Sequence, residues 1–269
     1  MRKSGFTLVE LAIVLVIIGL LIGGVLTGQE LIDQAKIRSA TEDITTYNAA
    51  VNTFRSKYQE LPGDLSRATS FGVDRPKGQG TGAINVSGTN GGDTNGDGDS
   101  ELEDSSDAQA DLDGEIANFW VHLSNTTLIQ SSTTQVQGCT VTAGTCNNSS
   151  GTAYPLAPLG NGVLAITEEK TLHYLMGVAS SISDDGFSSP GEGSDIVADT
   201  LSPEEAFGID SKLDDGKPES GAIQVYADFD GNFISDSSPG PADCFVTAGG
   251  EYNLIEEGIV CSIFIKAST

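Results

Sequence analysis

The chain has 269 residues, with 38 acidic against 13 basic side chains and a formal net charge of −25. That imbalance argues against a broad electrostatic grip on nucleic acid, which needs clustered Lys and Arg to displace counterions from phosphates. The length allows one good-sized domain or two small ones. The acidity reads either as a well-solvated surface or as a supply of carboxylates for divalent cations.

The chain opens Met1-Arg2-Lys3-Ser4-Gly5, continues Phe6-Thr7-Leu8-Val9-Glu10, and then runs uncharged from Leu11 to Leu26. Arg2 and Lys3 place the start on the cytoplasmic side of a membrane. The 21 residues from Phe6 to Leu26, helical at about 1.5 Å each, span a hydrocarbon core of about 30 Å. A secretory signal would have a shorter apolar core with a small-residue cleavage site behind it, and neither is evident. Glu10 is out of place, because an acid within lipid costs roughly 2–3 kcal/mol and calls for a partner. Cleavage after Gly5 would create one in the new Phe6 amino group of a neighbouring copy; the alternative is that Glu10 snorkels to the interface.

The string Lys3-Ser4-Gly5-Phe6-Thr7-Leu8-Val9-Glu10-Leu11 resembles the prepilin leader shared by type IV pilins and type II secretion pseudopilins. The resemblance implies that a membrane peptidase, the prepilin peptidase, cuts after Gly5 and methylates Phe6, and that Glu10 guides subunit assembly. It also implies an inner-membrane precursor with its head outside the cytoplasm. The partners would be an assembly platform, other pilins and further copies of itself.

Past the apolar run, Ile37, Ala40, Ile44, Tyr47, Val51, Phe54, Tyr58 and Leu61 recur at spacings of three and four. They form one apolar stripe on a helix that Pro62-Gly63 stops. The helix predicted from about Phe6 to Glu60 is roughly 80 Å long, apolar all round in its first half and one-sided in its second. A coiled-coil dimer is the alternative reading of the stripe. Gly19, Gly23, Gly24 and Gly28 weaken the helix and form small-xxx-small pairs that admit a close neighbour. The division is therefore a leader at 1–5, a membrane or filament-core segment at 6–28, an amphipathic segment at 29–61 and a polar head at 62–269.

Within the head, Ile116, Phe119, Trp120 and Leu123 predict a helix over 107–124, with Trp120 as a core anchor. Ser202, Pro203 and Glu205 form a helix start with a capping box, ending near Gly216. His173 is also assigned to a helix. Strands are read at Gly162–Thr167, Ala222–Phe229 and Gly258–Lys266. The fold class is α+β and pilin-like: the long helix packs on a small antiparallel sheet, with long loops and extra short helices. Two strings resemble pilin-like proteins further: Tyr58-Gln59-Glu60-Leu61-Pro62-Gly63-Asp64-Leu65 at the helix-to-head junction, and Ile209-Asp210-Ser211-Lys212-Leu213-Asp214-Asp215-Gly216-Lys217-Pro218 in the C-terminal part, the latter with no assigned role.

Asp93, Asn95, Asp97, Asp99, Glu101 and Asp104 alternate around Gly98 as in a calcium loop, although Asp104 stands where a longer Glu would close the site. A disordered acidic loop is the alternative. A weaker set, Asp228, Asp230, Asn232 and Asp236, reads equally well as an Asp-Gly hairpin turn. Calcium is the expected cofactor. Cys139, Cys146, Cys244 and Cys261 contain no CxxC, and two His residues make a zinc site a poor fit. Export favours disulfides, and of the three pairings the local ones, Cys139–Cys146 and Cys244–Cys261, need the least reorganisation; buried free thiols are the alternative.

No nucleophile elbow, metalloprotease motif, P-loop or dinucleotide fingerprint is present, so the expectation is a non-enzymatic protein. The leading functional reading is a structural subunit, major or minor, of a type IV pilus-like filament. A pseudopilin of type II secretion is a second reading, and a membrane-tethered, calcium-dependent binding or adhesion module is a third from another class.

Overall fold

Helix α1 runs from Leu8 to Tyr58 in the computed structural model, 51 residues without a break and about 77 Å long. The structure describes residues 8–73, 95–102, 114–130, 145–147, 154–160, 162–168, 170–177, 181–183, 200–225, 244–246, 250–256, 258 and 261–268. The predicted stripe is the buried face: Ile37, Ala40, Ile44, Tyr47, Val51, Phe54 and Tyr58 are each at most 7 % exposed. The helix stops where Gln59 takes a left-handed conformation, φ +66°, its N–H donating to the Arg55 carbonyl at 2.8 Å. Arg55 and Lys57 occupy this last turn, where cations suit the negative end of the helix dipole.

The chain then turns under the helix through Leu61-Pro62-Gly63-Asp64-Leu65, all buried. Gly63 has φ +91°, and a Cβ there would lie 2.4 Å from the Glu115 carbonyl oxygen, so the close passage requires glycine. Its N–H donates to His122 Nδ1 at 2.8 Å. A single turn, α2 (Ala68–Phe71), leads to α3 (Gly114–Asn125), which the expected helix over 107–124 matches in its described part. Trp120 packs edge-on against Tyr47 and Phe119, each at 4.9 Å between ring centres. Burying such rings contributes roughly 1.5–3 kcal/mol each.

The remaining elements in chain order are β1 (Thr145–Asn147), β2 (Val163–Glu168), β3 (Thr171–Met176), β4 (Ser181–Ser183), α4 (Pro203–Leu213), β5 (Ile223–Val225), β6 (Phe245–Val246), β7 (Glu251–Tyr252) and β8 (Ile263–Lys266). The main sheet has the order β2-β3-β8-β5, antiparallel throughout. Two further ribbons pair β1 with β4 and β6 with β7. The core lies between this sheet, α3 and the upper half of α1. The end of β8 is tied to the helix: Ser268 N–H donates to Asn48 Oδ1 at 3.2 Å, and Asn52 Nδ2 donates to the Ser268 carbonyl at 2.9 Å.

Three expectations shift. His173 lies in β3 and not in a helix, because Leu172, Tyr174 and Met176 alternate inward while Lys170, at φ +62°, makes the hairpin turn. Strand β8 begins at Ile263 and not at Gly258. Of the expected 222–229 strand, Ile223–Val225 is observed and residues 226–229 lie outside the described part. Helix α4 starts with the predicted capping box, Ser202 Oγ and Glu205 each bonded to the other's backbone N–H, and ends at Leu213.

Candidate functional site

The exposed half of α1 is the largest chemical anomaly. From Leu8 to Ile32 the large apolar side chains face outward, Leu8 at 90 % and Leu20 at 78 % exposure. The segment's mean hydropathy reaches 2.8 over an 18-residue window, none of it buried. Among the described residues this helix alone is long and apolar enough to cross a membrane. Nothing stands within 4 Å of where a Cβ would lie at Gly19, Gly23, Gly24 or Gly28, so the helix leaves room there for another backbone. Glu10 sits in its first described turn. Gly5 and Phe6 lie outside the described residues.

Residues 1–26 match a family model, the prokaryotic N-terminal methylation motif. The chain carries a prepilin leader. That leader is the signature of type IV pilins and pseudopilins, and the apolar helix follows it directly. Comparison with curated proteins and with solved structures finds no match.

In the head, the described part of the expected calcium loop, residues 95–102, folds against the helix-to-head junction. Asn95 Oδ1 is drawn to Thr69, accepting from its N–H at 2.9 Å and its hydroxyl at 3.1 Å. Asp99 meets Lys170 at 3.6 Å and accepts the Glu101 N–H at 2.7 Å. The alternating residues therefore do not all converge. Asp97 instead comes together with Asp64 and Glu115, one carboxylate oxygen of each lying within 4.8 Å of the other two. Asp64, 1 % exposed, accepts N–H bonds from Gly98 at 2.5 Å and Ser100 at 2.7 Å. Burial pushes its carboxyl up to about 6, with Asp97 and Asp99 adding repulsion while the two N–H bonds oppose the rise. Three hard oxygen donors of this kind could hold a divalent cation. Asp93 and Asp104 lie outside the described residues, as do Asp228, Asp230, Asn232 and Asp236.

Asp64 and Glu115 escaped the loop pattern because they come from other elements, and only Asp64 carried a signal, its place in the junction string.

A second carboxylate cluster, Asp210, Asp214 and Asp215, explains the string at 209–218. Buried Asp210 accepts from Tyr252 Oη at 2.9 Å and from Gly216 N–H at 3.1 Å. Asp214 accepts from the N–H groups of Ala222 and Ile223, and Asp215 from Lys217 N–H and the Ser220 hydroxyl. These oxygens tie α4 to β5 and β7. Burial pushes Asp210 up to about 6, with repulsion from Asp215 and Asp214, against its hydrogen bonds.

Cys244 and Cys261 form the expected disulfide, closing a separation of 17 residues. Cys146 lies in β1, and Cys139 is outside the described residues. His122 is buried beneath α1, its ring stacked 6.0 Å from Phe54 and pushed down to about 3 by burial; it clamps the junction. His173 packs on Phe264 at 4.7 Å. Among the described residues, His122 bonds the Gly63 N–H and His173 the Thr171 carbonyl, and neither imidazole meets a nucleophile or a carboxylate.

Proposed function

We propose that the chain is a structural subunit of a type IV pilus-like filament. It enters the inner membrane through residues 6–28, with Arg2 and Lys3 inside and the head outside the cytoplasm. The prepilin peptidase cuts between Gly5 and Phe6, Phe6 is N-methylated, and an assembly platform adds the subunit to its fellows. In the dry bundle that results, Glu10 of one copy meets the cationic Phe6 amino group of the next, which offsets the cost of holding an acid in an apolar core. The observation that carries this reading is the division of α1, outward-apolar below Ile37 and buried in its own head above it. Mass spectrometry of sheared surface filaments should find a terminal peptide that begins at methylated Phe6. An intact Met1 in that material would sink the reading.

Calcium is the cation we propose for the head, held by Asp64, Asp97 and Glu115. Adding calcium to the detergent-solubilised chain should raise its Tm, and Asp64→Asn with Glu115→Gln should remove that rise. Equal melting with calcium and with a chelator would count against it.

A further inference from the structure

Turns favour glycine, proline and short polar residues, yet the turn that follows β7 reads Asn253-Leu254-Ile255-Glu256. Backbone bonds shape it: the Leu254 N–H donates to the Tyr252 carbonyl and the Glu256 N–H to that of Asn253, each at 3.0 Å. Leu254 is 54 % exposed and Ile255 92 %, the most exposed large apolar side chain among the described residues. A single exposed aliphatic needs no explanation, but two side by side on a hydrogen-bonded turn do.

Two chains of contacts set the level of this turn along α1. From above, Ser268 bonds Asn48 and Asn52, and Cys261 lies seven residues back along the chain. An extended strand covers that stretch in about 23 Å, and α1 covers the same distance in about 15 residues. From below, Cys261 and Leu201 exchange backbone bonds at 3.0 and 3.1 Å, and the next residue, Ser202, shares a groove with Glu30, Asp33, Gln34 and Ile37. Both routes bring Cys261 level with the neighbourhood of Gln34, so β8 runs alongside α1 with its first residue toward the outward-apolar half. The Cys244–Cys261 disulfide holds the β6–β7 ribbon at this level, where the Cys244 carbonyl accepts the Asn253 N–H at 2.9 Å. The other end of the ribbon is higher. A Cβ on Gly250 would lie 3.2 Å from Glu219 Oε2, the neighbouring Pro218 accepts the Val225 N–H, and Val225 pairs with Ile263, two residues up the strand from Cys261. The ribbon thus descends from Gly250 to Asn253, and Leu254 and Ile255 follow below, near the level of Leu31 and Ile32, which α1 also leaves exposed.

Leu31 stands five residues past Leu26, where the apolar run ends, a rise of about 8 Å. The headgroup layer of one leaflet is itself roughly 5–8 Å deep. We propose that the Leu254–Ile255 turn is a foot on which the head rests on the bilayer that α1 crosses, its two side chains entering the headgroup layer beside Leu31 and Ile32. The inference rests on the reading of residues 6–28 as the membrane span. Carboxylates prevail at this level, with Glu30, Asp33, Glu204, Glu205 and Glu256 against Lys36 and Lys212. Attraction to anionic lipid therefore plays no part, and burial of apolar surface carries the contact. Held at two points, the span and the foot, the head keeps one tilt and offers one face to an arriving subunit.

The test uses the full-length chain in phosphatidylcholine vesicles, with brominated lipid as a contact quencher of tryptophan. Trp120 packs on Tyr47, 21 residues past Leu26 and about 30 Å along the axis, so it supplies a constant background. Ile255→Trp adds a ring at an exposed position, and the added emission should fall about twofold on bromination. The same ring in Phe71→Trp, beside Tyr58 at the far end of the head, should lose none, and in Leu15→Trp, within the span, it should lose most. Raising the salt about tenfold should leave the Ile255→Trp quenching unchanged. If bromination spares Ile255→Trp but quenches Leu15→Trp, this inference alone falls; if it spares both, the span reading falls with it. Quenching that salt removes, or that Phe71→Trp shows equally, also overturns the foot. Emission from Ile255→Trp that is unquenched in vesicles but shifted to the blue in sheared filaments would give the turn to a neighbouring copy instead.

Discussion

Below Ile37, α1 turns Leu8, Leu20, Leu26 and Leu31 outward, at 90, 78, 62 and 66 % exposure, whereas above it Ile44, Val51 and Phe54 are at most 2 % exposed. Both halves belong to one unbroken helix, yet they answer to different partners. The upper half places its apolar residues three and four apart and leaves Arg38, Glu42 and Arg55 on the other side, so a single face is satisfied by the chain's own sheet. The lower half is apolar all round and no element of its own head covers it, so its partners are lipid or other helices. The amount of apolar surface says that something must cover a helix; its angular spread says whether that cover comes from within.

The contrast predicts that damage to one half should leave the other's property intact. The largest effect belongs to Glu10→Ala, which should abolish incorporation into filaments, scored by shearing and immunoblotting, while the Tm of the solubilised chain stays unchanged. Phe54→Ala should do the reverse. It should destabilise the head by about 3–5 kcal/mol, read by thermal or denaturant melting, while the protein still inserts in the membrane. Filament loss on Phe54→Ala without a change in melting would blur the division. Next, Cys244→Ser with Cys261→Ser should cost about 3 kcal/mol for a loop of this length and should likewise leave membrane insertion untouched.

The smallest effect is on pH. Asp210 is raised from 3.8 to about 6 by burial, so its neutral form supports the head fully below about pH 4. That support is lost as pH rises through about 6, the sign expected when the folded state binds the proton more tightly. Melting temperatures taken between pH 4 and pH 7 should fall by a few degrees through this window, and Asp210→Asn should flatten the curve while keeping an acceptor for Tyr252.

Most of α1 was legible because the outward run and the stripe are both local patterns, and the capping box at Ser202 and Glu205 is local too. The prepilin leader was legible for the same reason: a handful of adjacent residues carries it. The cation cluster was half legible. Asp97 sits in a recognisable alternation, but Asp64 and Glu115 join it across 33 and 18 residues of chain, a proximity that only the turn at Gly63 creates. Strand β3 escaped the sequence reading, which assigned His173 to a helix, because nothing local reveals that Lys170 adopts a left-handed turn. The string at 209–218 was noticed without a role, since its aspartates bind backbone N–H groups on β5 and the hydroxyl of Tyr252 on β7, positions a linear reading does not bring together.

The strand that knits the main sheet is the last in chain order among the described residues: β8 separates β3 from β5 and is followed directly by the two bonds that fasten Ser268 to Asn48 and Asn52. The sheet therefore cannot close until residues 263–266 are in place. Until then, the edges of β3 and β5 that face β8 stay unpaired. A chain that lacked β8 would expose apolar surface that the complete sheet hides, and a protease or chaperone could tell the two apart by that surface alone.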